Sequence, residues 1–203
     1  MLLTSIVWGT AALAAPPDRY ATCDEQAAWF TDQQRPRPDE RPDLWWIERD
    51  APCPFETSLV GDGPPAGRAI GCEDRNGRRY GWRTEFGDGG KVAVQSHWEG
   101  NREDGTRTEW DPVTYDVLRV TTVRDGRTDG EVVEWLDDGG VLVTSYRRSD
   151  RDGPTWRLDA RGEVVMVEWY RGNQRHGRSC AWKRGVGGMV LSVDQVFSGG
   201  EPE

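Results

Sequence analysis

A glycine returns at a nearly constant interval through this 203-residue chain, at Gly81, Gly105, Gly130, Gly153 and Gly177. Five positions after each stands a large apolar residue: Phe86, Trp110, Trp135, Leu158 and Trp182. A period in the twenties marks a repeat architecture, in which each unit buries a face against its neighbours and no thick core is needed. Within each unit the side chains alternate. Trp82, Thr84 and Phe86 stand against Arg83 and Glu85; Thr106, Thr108 and Trp110 stand against Arg107 and Glu109; Val133 and Trp135 stand against Val132 and Glu134. A period of two is the strand period, with one face packed and the other wetted.

A turn follows each of these runs, as in Gly87-Asp88-Gly89-Gly90, Asp137-Asp138-Gly139-Gly140 and Asp159-Ala160-Arg161-Gly162. These residues accept positive φ or bond their own backbone. A second apolar run comes next (Val92 and Val94, Leu118 and Val120, Val141 and Val143, Val165 and Val167), and a polar link such as Glu99-Gly100-Asn101 leads to the next glycine. Each unit therefore reads as a β-hairpin. The expected fold is all-β: a single elongated antiparallel meander of about five repeated hairpins over residues 75–197, ~45–50 Å long, with a short N-terminal helix and coil arm.

The pattern of glycine, four residues, aromatic, Asp/Gly turn and short strand resembles MORN-type repeats, closest to the bacterial antitoxin-like variant class. The resemblance covers residues 74–193. Tyr80-Gly81 and His176-Gly177 match the aromatic-or-His step before the glycine. Asp104, Asp129 and Asp152 depart from it, and Asp111-Pro112-Val113-Thr114-Tyr115-Asp116 replaces one glycine turn. The resemblance implies scaffolding and contact, with no shared catalytic residues and no particular partner.

Residues 1–14 carry no charge and end Ala12-Leu13-Ala14, which reads as a secretory signal peptide cleaved before Ala15. Residues 15–50 form the arm. Thr22 and Glu25 have the spacing of a capping box for a helix to about Phe30. Arg35-Pro36-Arg37-Pro38-Asp39-Glu40-Arg41-Pro42 reads as a linker too polar to pack, and Leu44-Trp45-Trp46-Ile47 as a segment that docks on the sheet. Residues 51–74 form a cap in which Cys53 and Cys72 flank a Gly/Pro loop and pair as a disulfide in an exported protein. Cys180 has the inward parity of Trp182 and reads as a buried thiol, with a bridge to Cys23 as the alternative. Residues 198–203 read as a frayed tail.

Other features narrow function. The net charge is −9, which argues against binding nucleic acid or an anionic membrane surface. No stretch is long and apolar enough for a membrane span. Two histidines and no C-X-X-C give no metal site, and no cofactor motif is present. Glu85, Glu109 and Glu134 recur at one offset, the spacing of a carboxylate pair in a glycosidase; their alternation with Arg83 and Arg107 reads instead as cross-strand charge pairing on a wet face. The chain is therefore expected to be a non-enzymatic, periplasmic or extracellular protein. It would bind an unidentified protein partner through a polar face of Arg83, Glu85, Arg107, Glu109 and Glu134, or through its loops. An immunity-like inhibitor is one rival. A glycan-binding module that uses exposed tryptophan from the 11 present is another.

Overall fold

The computed structural model describes residues 16–33, 35–39 and 41–203; the signal-peptide segment lies outside them. The described residues form one antiparallel sheet in which strands follow one another in chain order. The five expected hairpins are β3 (Arg79–Phe86) with β4 (Val92–Glu99), β5 (Arg102–Trp110) with β6 (Val117–Arg124), β7 (Arg127–Trp135) with β8 (Val141–Arg147), β9 (Asp150–Leu158) with β10 (Val164–Arg171), and β12 (Gly177–Gly185) with β13 (Gly188–Ser198). The cap extends the same sheet as β1 (Thr57–Asp62) and β2 (Ala69–Asp74), and the two-residue β11 (Gln174–Arg175) pairs with the end of β10. Residues 198–203 do not fray: β14 (Glu201–Pro202) folds back on Phe197 and Ser198 through Gly199-Gly200.

The repeat glycines owe their period to backbone geometry. Gly105, Gly130, Gly153 and Gly177 have φ between +117° and +132°. Each of the first three sits where one strand carries two residues more than its partner. Between Thr121 and Val123, for instance, the partner strand steps from Val132 back to Thr128. At Gly130 a Cβ would lie 2.9 Å from Thr122 Cβ, so both the conformation and the space exclude a side chain.

The links between units are tight turns. Gly100-Asn101, Asp125-Gly126, Arg148-Ser149 and Gly172-Asn173 each have positive φ at both central residues, as in type I′ hairpins, whose twist matches that of the strands. Every one is tied back to the preceding unit. Asn101, Gly126, Ser149 and Asn173 donate their N–H to the carbonyls of Arg79, Glu103, Thr128 and Arg151 at 2.7–3.1 Å. These bonds span 21 to 23 residues and lock each repeat to the one before it.

The arm crosses one face of this sheet from its last hairpin to its first. Helix α1 (Cys23–Thr31) begins with the expected capping box, Glu25 N–H donating to Thr22 Oγ1 and Thr22 N–H to Glu25 Oε2. It is bolted to β12 by a disulfide between Cys23 and Cys180, so Cys180 is bridged and not a free thiol. Phe30, fully buried, meets the rings of Trp156 and Trp169 at 4.8 and 6.4 Å. The Arg/Pro segment packs against the sheet after all: Trp135 Nε1 donates to Arg35 O at 3.1 Å, and Arg35 and Arg37 pair with Glu131 and Asp116. The one-turn α2 (Trp45–Glu48) follows. Trp45, fully buried, docks on β2 and β3 as expected, and Cys53–Cys72 closes the crossing at the cap.

Candidate functional site

Strand parity divides the sheet's side chains into two sets, and the arm's contacts select one of them. Thr84, Gln95, Glu131, Trp135, Trp156, Trp169 and Cys180 all touch the arm, and the cross-strand registers place them on one face. This is the tryptophan face. With Phe30 it forms the main core, to which Trp110, Val117, Val143, Leu158 and Val167 contribute. The columns of large rings are therefore structural: burying one ring removes on the order of 200 Å² of mostly apolar surface from water.

The other face carries all five residues of the expected polar surface. Arg83 Nε lies 3.1 Å from Glu85, and Arg107 bridges Glu103 and Glu109 at 2.9 Å each. Glu134 pairs with Arg119 at 2.8 Å. Arg119 and Glu103 belong to the ladder, yet alternation within one strand did not single them out. Cross-strand registers make the connection, with Glu109 opposite Arg119 and Arg119 opposite Glu134. Burial lowers the basicity of Arg107, but the hydrogen bond and charge of Glu109 and the charge of Glu103 more than offset this and hold its pKa above the ordinary value.

Arg83 and Arg107 of this ladder share a cross-strand row with several small side chains. Across successive strands Arg83, Ser96, Arg107, Thr121, Val132, Thr144, Thr155 and Glu168 stand opposite one another. Ser96, Thr121, Thr144 and Thr155 are buried although the arm lies on the other side. On the far side of the row stand Trp98, Tyr146 and Tyr170. Arg79 and Arg151 stack on Trp98 and Tyr170 at 4.8 and 4.2 Å. Burial pushes the Tyr170 hydroxyl's pKa up, and its hydrogen bond to Glu168 adds to the shift. We call this face the trough: it carries ion pairs along one side, buried hydroxyl side chains interspersed with Arg83 and Arg107 in the middle, and aromatics along the other side.

The three glutamates of the carboxylate row are each ion-paired to a guanidinium within this ladder. Among the described residues no group of three or more His, Cys, Asp or Glu side chains could hold a metal ion, and no helix is long and apolar enough to cross a membrane. His176 lies near the Tyr20 hydroxyl, and His97 Nδ1 is 2.9 Å from the Asp104 carbonyl at a repeat bulge. The ten described tryptophans are all buried or half-buried. A separate cleft of about 560 Å³ opens between the Arg35–Arg37 segment and the hairpin turns, lined by Asp111, Asp116, Trp135 and Asp159 among others. No family model matches the chain, and no curated protein matches it.

Proposed function

We propose that this chain is an exported, non-catalytic, MORN-like repeat scaffold that binds a protein partner on its trough. The observation that carries the reading is the unequal use of the two faces. The arm fills the tryptophan face in cis, whereas the opposite face keeps a regular ladder of Arg and Glu free for contact. A sheet built from equivalent positions offers an extended, rigid surface of this kind. Mutually paired charges cost little to present to water, and exchange partners when a complementary surface arrives. The two disulfides suit an oxidising compartment.

An immunity-like role would use the same trough and differ only in what the partner does. A glycan-binding role would need solvent-facing indoles; the described tryptophans are buried or half-buried, and of these Trp98 alone stands on the trough. The test is capture of envelope proteins by the immobilised, oxidised chain beside a variant with Arg83, Glu85, Arg107, Glu109 and Glu134 changed to Ser. A stoichiometric partner held by the parent and lost by the folded variant is the expected result. A partner held equally by both would move the site to the loops or cap, and capture of nothing would count against the scaffold reading.

A further inference from the structure

Repetition supplies an internal control: equivalent positions in successive units should carry equivalent residues unless something else acts on one of them. Two departures from the repeat fall at the same place. The first concerns the pair that closes each type I′ hairpin. Glu99 stands opposite Arg102, Arg147 opposite Asp150, and Arg171 opposite Gln174; only Arg124 stands opposite a like charge, Arg127. Like charges directly across a strand pair are destabilising. Asp129 is 3.9 Å from Arg124, while Arg127 has no ionic partner among the described residues.

The second departure concerns the turns. Three of the four links between units use Gly with Asn or Asp, the residues that tolerate the left-handed region. The fourth uses Arg148 and Ser149, at φ 52° and 75°. A long side chain held there costs free energy without improving the turn, and such strain is often retained where the residue has a task. Arg148, too, has no ionic partner among the described residues.

Both departures line one hollow of about 600 Å³, formed by Arg102, Arg124, Asp125, Arg127, Asp129 and Arg148. Ser149 N–H donates to Thr128 O at 2.7 Å, which brings the Arg148 turn against the strand that carries Arg127. The six side chains sum to two positive charges on a protein whose net charge is −9. Arg102 and Arg124 pair with Asp125 and Asp129 of the same lining, which leaves Arg127 and Arg148 as the guanidinium groups with donors to offer. A guanidinium matches the oxygens of a tetrahedral oxyanion and binds them through paired, charge-assisted N–H donors.

We infer that this hollow binds a dianionic phosphate monoester group, with Arg127 and Arg148 as its principal ligands. The group is soluble or carried by a soluble partner, because the acidic remainder of the chain is repelled by an anionic bilayer. The site is distinct from the trough and does not depend on the proposed protein-binding role.

Titrating the isotope-labelled, oxidised protein with inorganic phosphate tests this by amide NMR, with chloride at matched ionic strength as the control. Saturable shifts confined to residues 124–129 and 148–149 are expected. Arg127→Gln and Arg148→Asn should each weaken binding about tenfold or more. Arg148→Asn suits the turn better than arginine, so its loss of binding would not reflect unfolding. Shifts no larger than chloride produces, or shifts unchanged in both variants, would overturn the inference. So would binding to phosphatidic acid vesicles with none to inorganic phosphate.

Discussion

Trp45 donates its indole N–H to the hydroxyl of Thr84 at 2.9 Å, and both residues are fully buried. Gln95 Nε2 donates to the same hydroxyl at 3.0 Å and to the Asp43 carbonyl at 2.6 Å. One threonine in the tryptophan face thus anchors the arm directly through Trp45 and indirectly through Gln95, which also holds the Asp43 carbonyl. Thr84→Val removes the acceptor and leaves both donors in an apolar setting, so it should destabilise by about 2 kcal/mol or more. Trp45→Phe/Thr84→Val should cost less than the two single changes added together, because the unsatisfied indole donor disappears with its acceptor. Urea denaturation of the four proteins measures this, and strict additivity would deny the coupling.

The two disulfides should not be equivalent. Cys23–Cys180 links residues 157 apart and Cys53–Cys72 residues 19 apart. Loop-closure entropy assigns them about 5 and about 3 kcal/mol respectively. Cys23→Ser/Cys180→Ser should therefore lower Tm more than Cys53→Ser/Cys72→Ser and raise the amide exchange of α1. Calorimetry and hydrogen exchange on the two variants provide the comparison.

Arg148→Asn/Ser149→Gly should stabilise the fold by about 1 kcal/mol or more, since it puts the residues favoured by a type I′ turn where two non-glycine residues have positive φ. The same change should weaken phosphate binding at the neighbouring hollow about tenfold or more. Stability gained with binding lost is the signature of a residue kept for its task.

Acid should loosen the arm and two of the turns. Side-chain and backbone hydrogen bonds from Thr22 lower the pKa of Glu25 below its ordinary 4.5. Backbone hydrogen bonds from Arg78 and Thr114 lead in lowering those of Asp74 and Asp111 below 3.8. A carboxylate with a depressed folded-state pKa contributes stability that is full above its unfolded value and lost as pH falls through its folded value. Stability should therefore decline below about pH 4. Glu25→Gln should remove part of that decline, as chemical denaturation across this range would reveal.

Much of the sheet was legible because its signals are local. The glycine period reflects a backbone conformation that only glycine adopts easily, and the five hairpins, the capping box and the Cys53–Cys72 pair each lie within a few dozen residues of sequence. The crossing arm was not legible from Arg35 to Pro42, because its anchors there are mostly backbone groups or distant charges. Trp135 finds the carbonyl of Arg35, and Gln95 grips the backbone of Asp43; neither bond alters the polar composition that suggested a linker. Cys23 and Cys180 are 157 residues apart, so no local pattern pairs them. Arg119 joins the polar ladder through cross-strand register, which alternation along one strand cannot reveal. The last strand did leave a signal: Gly199-Gly200 between Phe197-Ser198 and Glu201-Pro202 is a hairpin turn.

Peptide mapping of the oxidised, unreduced protein by mass spectrometry tests the central claim, that the N-terminal arm spans the tryptophan face and leaves the opposite face open. The Cys23–Cys180 link places the start of the described arm at the last hairpin, from which it runs back across the sheet to the cap. Linked peptides joining Cys23 to Cys180 and Cys53 to Cys72 are the predicted result. A Cys23–Cys53 or Cys23–Cys72 linkage, or free thiols at Cys23 and Cys180 in the oxidised protein, would contradict it.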